Sequence, residues 1–72
     1  MRIEYDQEVD AAYVHIGDEI PAGSVARTIS VDPEAIAGMV NLDLDDRGRI
    51  LGLEVLDARK LLPPGLLGID PS

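Results

Sequence analysis

Asn41-Leu42-Asp43-Leu44-Asp45-Asp46-Arg47-Gly48-Arg49-Ile50-Leu51-Gly52-Leu53-Glu54-Val55-Leu56 reads as two strands joined by a tight loop. Val40, Leu42 and Leu44 alternate with Asn41, Asp43 and Asp45. That period of two sends successive side chains to opposite faces of a sheet. Asp45-Asp46-Arg47-Gly48 is the hairpin loop, and Gly48 can adopt the positive φ that such loops need. In the strand from Arg49 to Leu56, Leu51, Leu53 and Val55 share one face, and Ile50, Gly52, Glu54 and Leu56 the other. The second face is half apolar, so this strand is expected to be covered on both sides or to lie at an interface. A glycine within a strand marks a bulge or a close approach of another group; for Gly52 the alternative is space for a residue of a second subunit.

The same period extends outward. Met1, Ile3 and Tyr5 alternate with Arg2 and Glu4, and Ala12, Val14 and Ile16 with Tyr13 and His15, predicting strands one and two. Residues 17–24 form a loop punctuated by Gly and Pro. Val25, Arg27, Ile29 and Val31 alternate with Ala26, Thr28 and Ser30 as strand three, dense in β-branched residues. Residues 32–38 are expected to make one helical turn, with Asp32 as cap, Pro33 first and Gly38 ending it. Asp57 is expected to cap a short helix through Leu62, where Arg59 and Lys60 suit the helix dipole and Pro63-Pro64 stops it. The predicted fold is therefore mainly β, a small α+β domain over residues 1–62. It is an antiparallel meander of about five strands with a short C-terminal helix. Residues 63–72 form an apolar tail containing Pro and Gly, expected to fold back over the sheet, with partner binding as its other use.

Composition narrows the function. The chain has 72 residues, 14 acids against 6 bases and a formal charge of -8. A surface that grips nucleic acid needs clustered Lys and Arg, so direct nucleic-acid binding is not expected. No cysteine is present, which removes disulfides, thiol nucleophiles and thiolate metal sites. A single histidine excludes a multi-His zinc site within one chain. No apolar run reaches the roughly 20 residues of a membrane span, and the first residues lack the apolar stretch of a signal peptide. A cytoplasmic location is the expectation. Tyr5 and Tyr13 are the only aromatics, so the core must be aliphatic. One core of this size rarely supplies more than about 3–5 kcal/mol. A homo-oligomer, most simply a two-fold dimer, is the expected source of further burial. Residues 1–46 carry net -9 and residues 47–72 net +1, so the acidity lies in the N-terminal two-thirds.

These features resemble the small bacterial family catalogued as domain of unknown function 2283. Met1-Arg2-Ile3-Glu4-Tyr5-Asp6 followed by Asp10-Ala11-Ala12-Tyr13-Val14 is similar to its first hairpin, and Leu42 through Ala58 to its second. The likeness spans residues 1–17 and 38–60; the tail beyond Leu62 lies outside it, and Ala12 stands where a larger aliphatic is common. It implies a small antiparallel sheet with a short terminal helix, and neither a known reaction nor catalytic residues. It also implies operon components, some beside small toxin-like genes, a hint of antitoxin or regulatory behaviour.

Three clusters carry candidate chemistry. Asp43-x-Asp45-x-Arg47-Gly48 with Glu54 resembles a calcium loop, with acids at positions one, three and twelve and Gly at six. Arg47 puts a cation where a ligand oxygen is wanted, and the flanks read as strands, so no metal or other cofactor is expected at Asp43, Asp45 and Glu54. Tyr13 and His15 share a face of strand two, where a phenol and an imidazole could move protons. Glu8, Asp10, Asp18 and Glu19 lie in loops around that strand and could meet a basic surface. The expected function is a non-enzymatic, acidic protein-interaction module, antitoxin-like or regulatory. Glu8, Asp10, Tyr13, His15, Asp18 and Glu19 are its candidate partner-binding residues, and a basic, RNA-cleaving protein its partner. The competing reading is a small ligand-binding protein or enzyme. Its site would lie at a dimer interface, near Tyr13, His15 and the acids of strand four.

Overall fold

The computed structural model describes residues 1–17 and 20–68. Five strands form one antiparallel sheet: β1 (Arg2–Asp6), β2 (Ala11–His15), β3 (Arg27–Ser30), β4 (Met39–Leu44) and β5 (Ile50–Leu56). A four-residue helix α1 (Ala58–Leu61) and a 3-10 turn (Pro64–Leu67) follow. The expected class, an antiparallel five-stranded sheet with a short C-terminal helix, is the class observed. Among the described residues no helix is long and apolar enough to cross a membrane.

The strand order is β1-β2-β5-β4-β3, which departs from a sequential meander at one place. The last strand enters between β2 and β4. β5 has the most apolar residues on both faces, so the centre of the sheet is where it loses most contact with water. Residues 16–26 carry the chain from β2 past β5 and β4 to β3, a gap of about 14 Å that a segment of this length crosses easily. Ile16 N–H donates to Leu51 O at 3.0 Å and Ala26 N–H to Leu44 O at 2.8 Å, anchoring both ends of the crossing.

Two local expectations are corrected. Residues 32–38 form turns rather than a helical turn. The Asp32 carboxylate accepts the Glu34 N–H at 2.9 Å, and its carbonyl accepts the Ala35 N–H at 2.9 Å. So short a segment does not repay helix nucleation. Asp57 does not cap α1 with its side chain; it turns the chain in the left-handed region at φ 57°. The cap comes from Asp10, at the end of the β1–β2 hairpin, itself at φ 53°. Asp10 accepts the Ala58 N–H through its carbonyl at 3.0 Å and the Arg59 N–H through Oδ1 at 3.1 Å. Tyr5 Oη donates to the same Oδ1 at 2.8 Å and accepts from Arg59 Nε at 3.0 Å.

The helix and the 3-10 turn lie under one end of the sheet. Ala12, Val40, Val55, Ala58 and Leu67 form the buried cluster, with Ile3, Tyr5, Val31, Ile36, Leu42, Leu53, Leu61 and Leu62 packed around it. Pro64–Leu67 thus folds back against β1 and adds Leu67 to the cluster that holds Ala12. The β4–β5 loop follows the sequence reading: Gly48 sits at φ 78°, and a bulge at Asp43/Leu44 shifts the register.

Removing the Asp10 cap should loosen the joint between hairpin and helix. Asp10→Ala is expected to lower stability by about 1–2 kcal/mol in urea unfolding. Asp10→Asn keeps an acceptor oxygen and tolerates the left-handed backbone, so it should cost less than half as much.

Candidate functional site

Alternation puts most polar strand residues, Tyr5 and Arg27 excepted, on the face opposite the helix, and the register arranges them in two rows. One row runs Glu4, Tyr13, Glu54, Asn41, Ser30 from β1 to β3; the other runs Arg2, His15, Gly52, Asp43, Thr28. Gly52 leaves a gap in the second row, and Tyr13 fills it from the first. A Cβ on Gly52 would stand 2.5 Å from Tyr13 Oη and 2.7 Å from Cε1. The close approach read from this glycine is real, and the group that uses it is the chain's own Tyr13.

Lying over Gly52, Tyr13 reaches diagonally to donate to Asp43 Oδ2 at 2.5 Å, while Thr28 Oγ1 donates to Asp43 Oδ1 at 2.7 Å. Asn41 Nδ2 donates to Glu54 Oε1 at 3.0 Å, and Asn41 Oδ1 accepts from Ser30 Oγ at 2.8 Å. On the other side Glu4 Oε1 lies 2.9 Å from His15 Nε2 and 3.0 Å from Arg2 Nη2. A carboxylate only accepts, so the histidine proton facing Glu4 sits on Nε2. Nδ1 is buried with no hydrogen-bond partner among the described residues. The Tyr13 and His15 rings meet edge to face, centroids 4.8 Å apart. Burial, the hydrogen bond to Asp43 and the negative charges of Asp43 and Glu54, in that order, push the Tyr13 phenol up to about 12.

Beside this lattice is a recess of about 270 Å³, lined by Glu4, Tyr5, Asp6, Ala11, Ala12, Tyr13 and Glu54. It forms because Ala11 is short where its neighbours are long. Three carboxylates and a tyrosine face it; His15 and Asp43 do not line it. It is open rather than deep, which withdraws the main structural support from a catalytic pocket built on Tyr13, His15 and the acids of β4.

The other predicted residues are dispersed. Glu8 is exposed in the β1–β2 turn, its N–H donating to Asp6 Oδ1 at 2.9 Å. Asp10 Oδ1 is engaged by Tyr5 and Arg59 on the opposite side of the sheet. Asp18 and Glu19 lie outside the described residues. Asp45 accepts the Arg47 and Arg49 N–H groups and Arg49 Nε, each at 2.9 Å. The Arg49 N–H, then its side chain and the Arg47 N–H, hold Asp45 below the usual carboxylate range. Those donors occupy the oxygens a cation would need, and Asp43 and Glu54 are engaged elsewhere. No group of three potential metal ligands occurs among the described residues. The sequence reading missed Glu4 and Asp6. Both were visible as polar members of the first strand, and only their register, Glu4 against Tyr13 and Asp6 against Ala11, marks them.

The family model for a protein of unknown function, DUF2283, matches residues 2–59. The chain belongs to this family. No curated protein and no solved structure matches it.

A Tyr5→Phe variant isolates Tyr13 for spectrophotometric titration. Its phenolate absorbance is expected to rise with a midpoint near 12 rather than 10, and Asp43→Asn should lower that midpoint. Because the folded value is raised, the stabilisation is fully present below pH 10 and is lost as pH climbs through 12. Gly52→Ala should displace the ring and cost about 1–3 kcal/mol in urea unfolding.

Proposed function

Taking membership in this family as the premise, we propose that the chain is an acidic, non-enzymatic protein-interaction module that docks a basic partner protein in the cytoplasm. The observation that carries the reading is the recess between Glu4, Asp6, Tyr13 and Glu54. Its chemistry suits a lysine or arginine side chain. Carboxylates on both sides offer charge-assisted acceptors, and the Tyr13 ring offers an apolar wall and a π face. The surrounding polar side chains hold one another in fixed positions, so docking requires little ordering of this surface. The net charge of -8 would speed encounter with a cationic protein and make the rate depend on salt. An antitoxin-like or regulatory role follows if that partner is an RNA-cleaving protein, whose substrate-binding surface is basic.

The reading also accounts for what the tyrosine does. A phenol held protonated to about 12 is a donor and a wall at neutral pH, and a poor base. It suits recognition better than proton abstraction.

Tagged protein, used to capture partners from lysate of the native host, should retain a protein of high isoelectric point. Calorimetry with that purified partner should then show affinity falling as salt rises. Glu4→Gln with Glu54→Gln should weaken binding about tenfold. Failure to capture a basic partner, or affinity indifferent to salt and to both substitutions, would overturn the reading.

A further inference from the structure

We infer that His15 makes the recess sensitive to pH: charging its ring weakens the hold of Glu4 on a bound cation, so a basic partner is released as the surroundings acidify. The inference rests on the docking reading above and adds its regulation. Glu4 belongs to both sites. It lines the recess, and its Oε1 lies 2.9 Å from His15 Nε2. The His15 side chain is only 14% exposed and that of Glu4 is 62% exposed, so the ring is held in place while the carboxylate is open to a ligand.

Imidazole is the side chain whose charge ordinarily changes between pH 5 and 8. From β1 this one meets Glu4 and the Arg2 guanidinium, whose Nη2 is 3.4 Å from Nε2. From β5 the residue opposite is Gly52, which brings no charge; Glu54 stands further along the same face, opposite Tyr13. Asp43, beyond Gly52 on β4, is taken by Tyr13 and Thr28. On its own strand Tyr13 meets the ring edge to face and stays neutral, its phenol pushed up to about 12. Among the described residues, Glu4 is the carboxylate in hydrogen-bond contact with the ring.

That arrangement couples proton to ligand. The neutral ring carries its proton on Nε2, so a second proton goes to Nδ1. Nδ1 is buried with no hydrogen-bond partner among the described residues, and the added charge is offset chiefly through Glu4. A cation that draws Glu4 to itself deprives the imidazolium of that offset, and an imidazolium deprives the cation of Glu4. A ligand bonded to Glu4 would stand about 5–6 Å from the ring nitrogen, two hydrogen-bond lengths. Like charges at that separation repel enough to change affinity roughly threefold or more. Three carboxylates, Glu4, Asp6 and Glu54, stand against Arg2 around the recess, so one further positive charge halves the local excess of negative charge.

Titration of the full chain with N-acetyl-tetralysine amide at low salt, followed by NMR, tests the inference. The ammonium groups of this probe stay charged from pH 5.5 to pH 7.5. Its dissociation constant should be roughly threefold larger, or more, at the lower pH. His15→Gln, which keeps a donor for Glu4 and does not titrate, should abolish that difference. A second measurement needs no variant. The chain has one histidine, so its ring C–H resonance identifies itself. Saturating probe should move the midpoint of its titration down by about half a pH unit or more, the same threefold factor read from the proton's side. A tetralysine affinity that is the same at both pH values, or that changes equally in His15→Gln, overturns the inference and leaves the docking reading standing. So does a midpoint that saturating probe leaves in place or raises. Absence of tetralysine binding at both pH values overturns the docking reading, and the inference with it.

Discussion

One carboxylate holds the ends of this small fold together. Asp10 closes the β1–β2 hairpin in a left-handed conformation and, from there, takes the N–H of Arg59 and the hydroxyl of Tyr5, while its carbonyl takes the N–H of Ala58. A four-residue helix has almost no stability of its own. It persists because the start of the chain supplies its cap and the sheet supplies its floor. Once α1 is fixed, the chain beyond it is directed under the sheet, Leu67 joins Ala12, Val40, Val55 and Ala58, and the apolar cluster closes.

A second constraint orders the other face. Its polar groups lie over a sheet whose central strand carries a glycine, and Tyr13 occupies the vacant space. The ring then joins β2 to β4 across β5, so three strands share one hydrogen-bonded lattice. Fixing these side chains costs entropy once, on folding, and leaves the neighbouring carboxylates preset around the recess.

Much of this was legible from alternation alone. All five strands, the Gly48 loop and the two-faced character of β5 follow from local pattern, because period and turn chemistry are local properties. What was not legible depends on pairing. The insertion of β5 between β2 and β4 brings Glu54 and Asp43 beside Tyr13, and nothing within either strand announces its neighbour. The cap of α1 was assigned to Asp57 because it is adjacent in sequence; the residue that fills the role, Asp10, lies 49 positions before Arg59, whose N–H it takes. Glu8 and Asp10 looked alike as acids of one turn. The first faces water, and the second is engaged on the side where the helix begins.

The strand order also bears on synthesis. β5 is made last and occupies the middle, so β1–β2 and β3–β4 have no common partner until residue 56 has left the ribosome. Until then each hairpin is a two-stranded piece with two bare edges, too small to persist in water. The nascent chain must therefore wait, and its sheet assembles in one late step dominated by distant pairings. A message cut short within β5 would yield two unpaired hairpins rather than a smaller version of the domain, a product marked for aggregation or proteolysis.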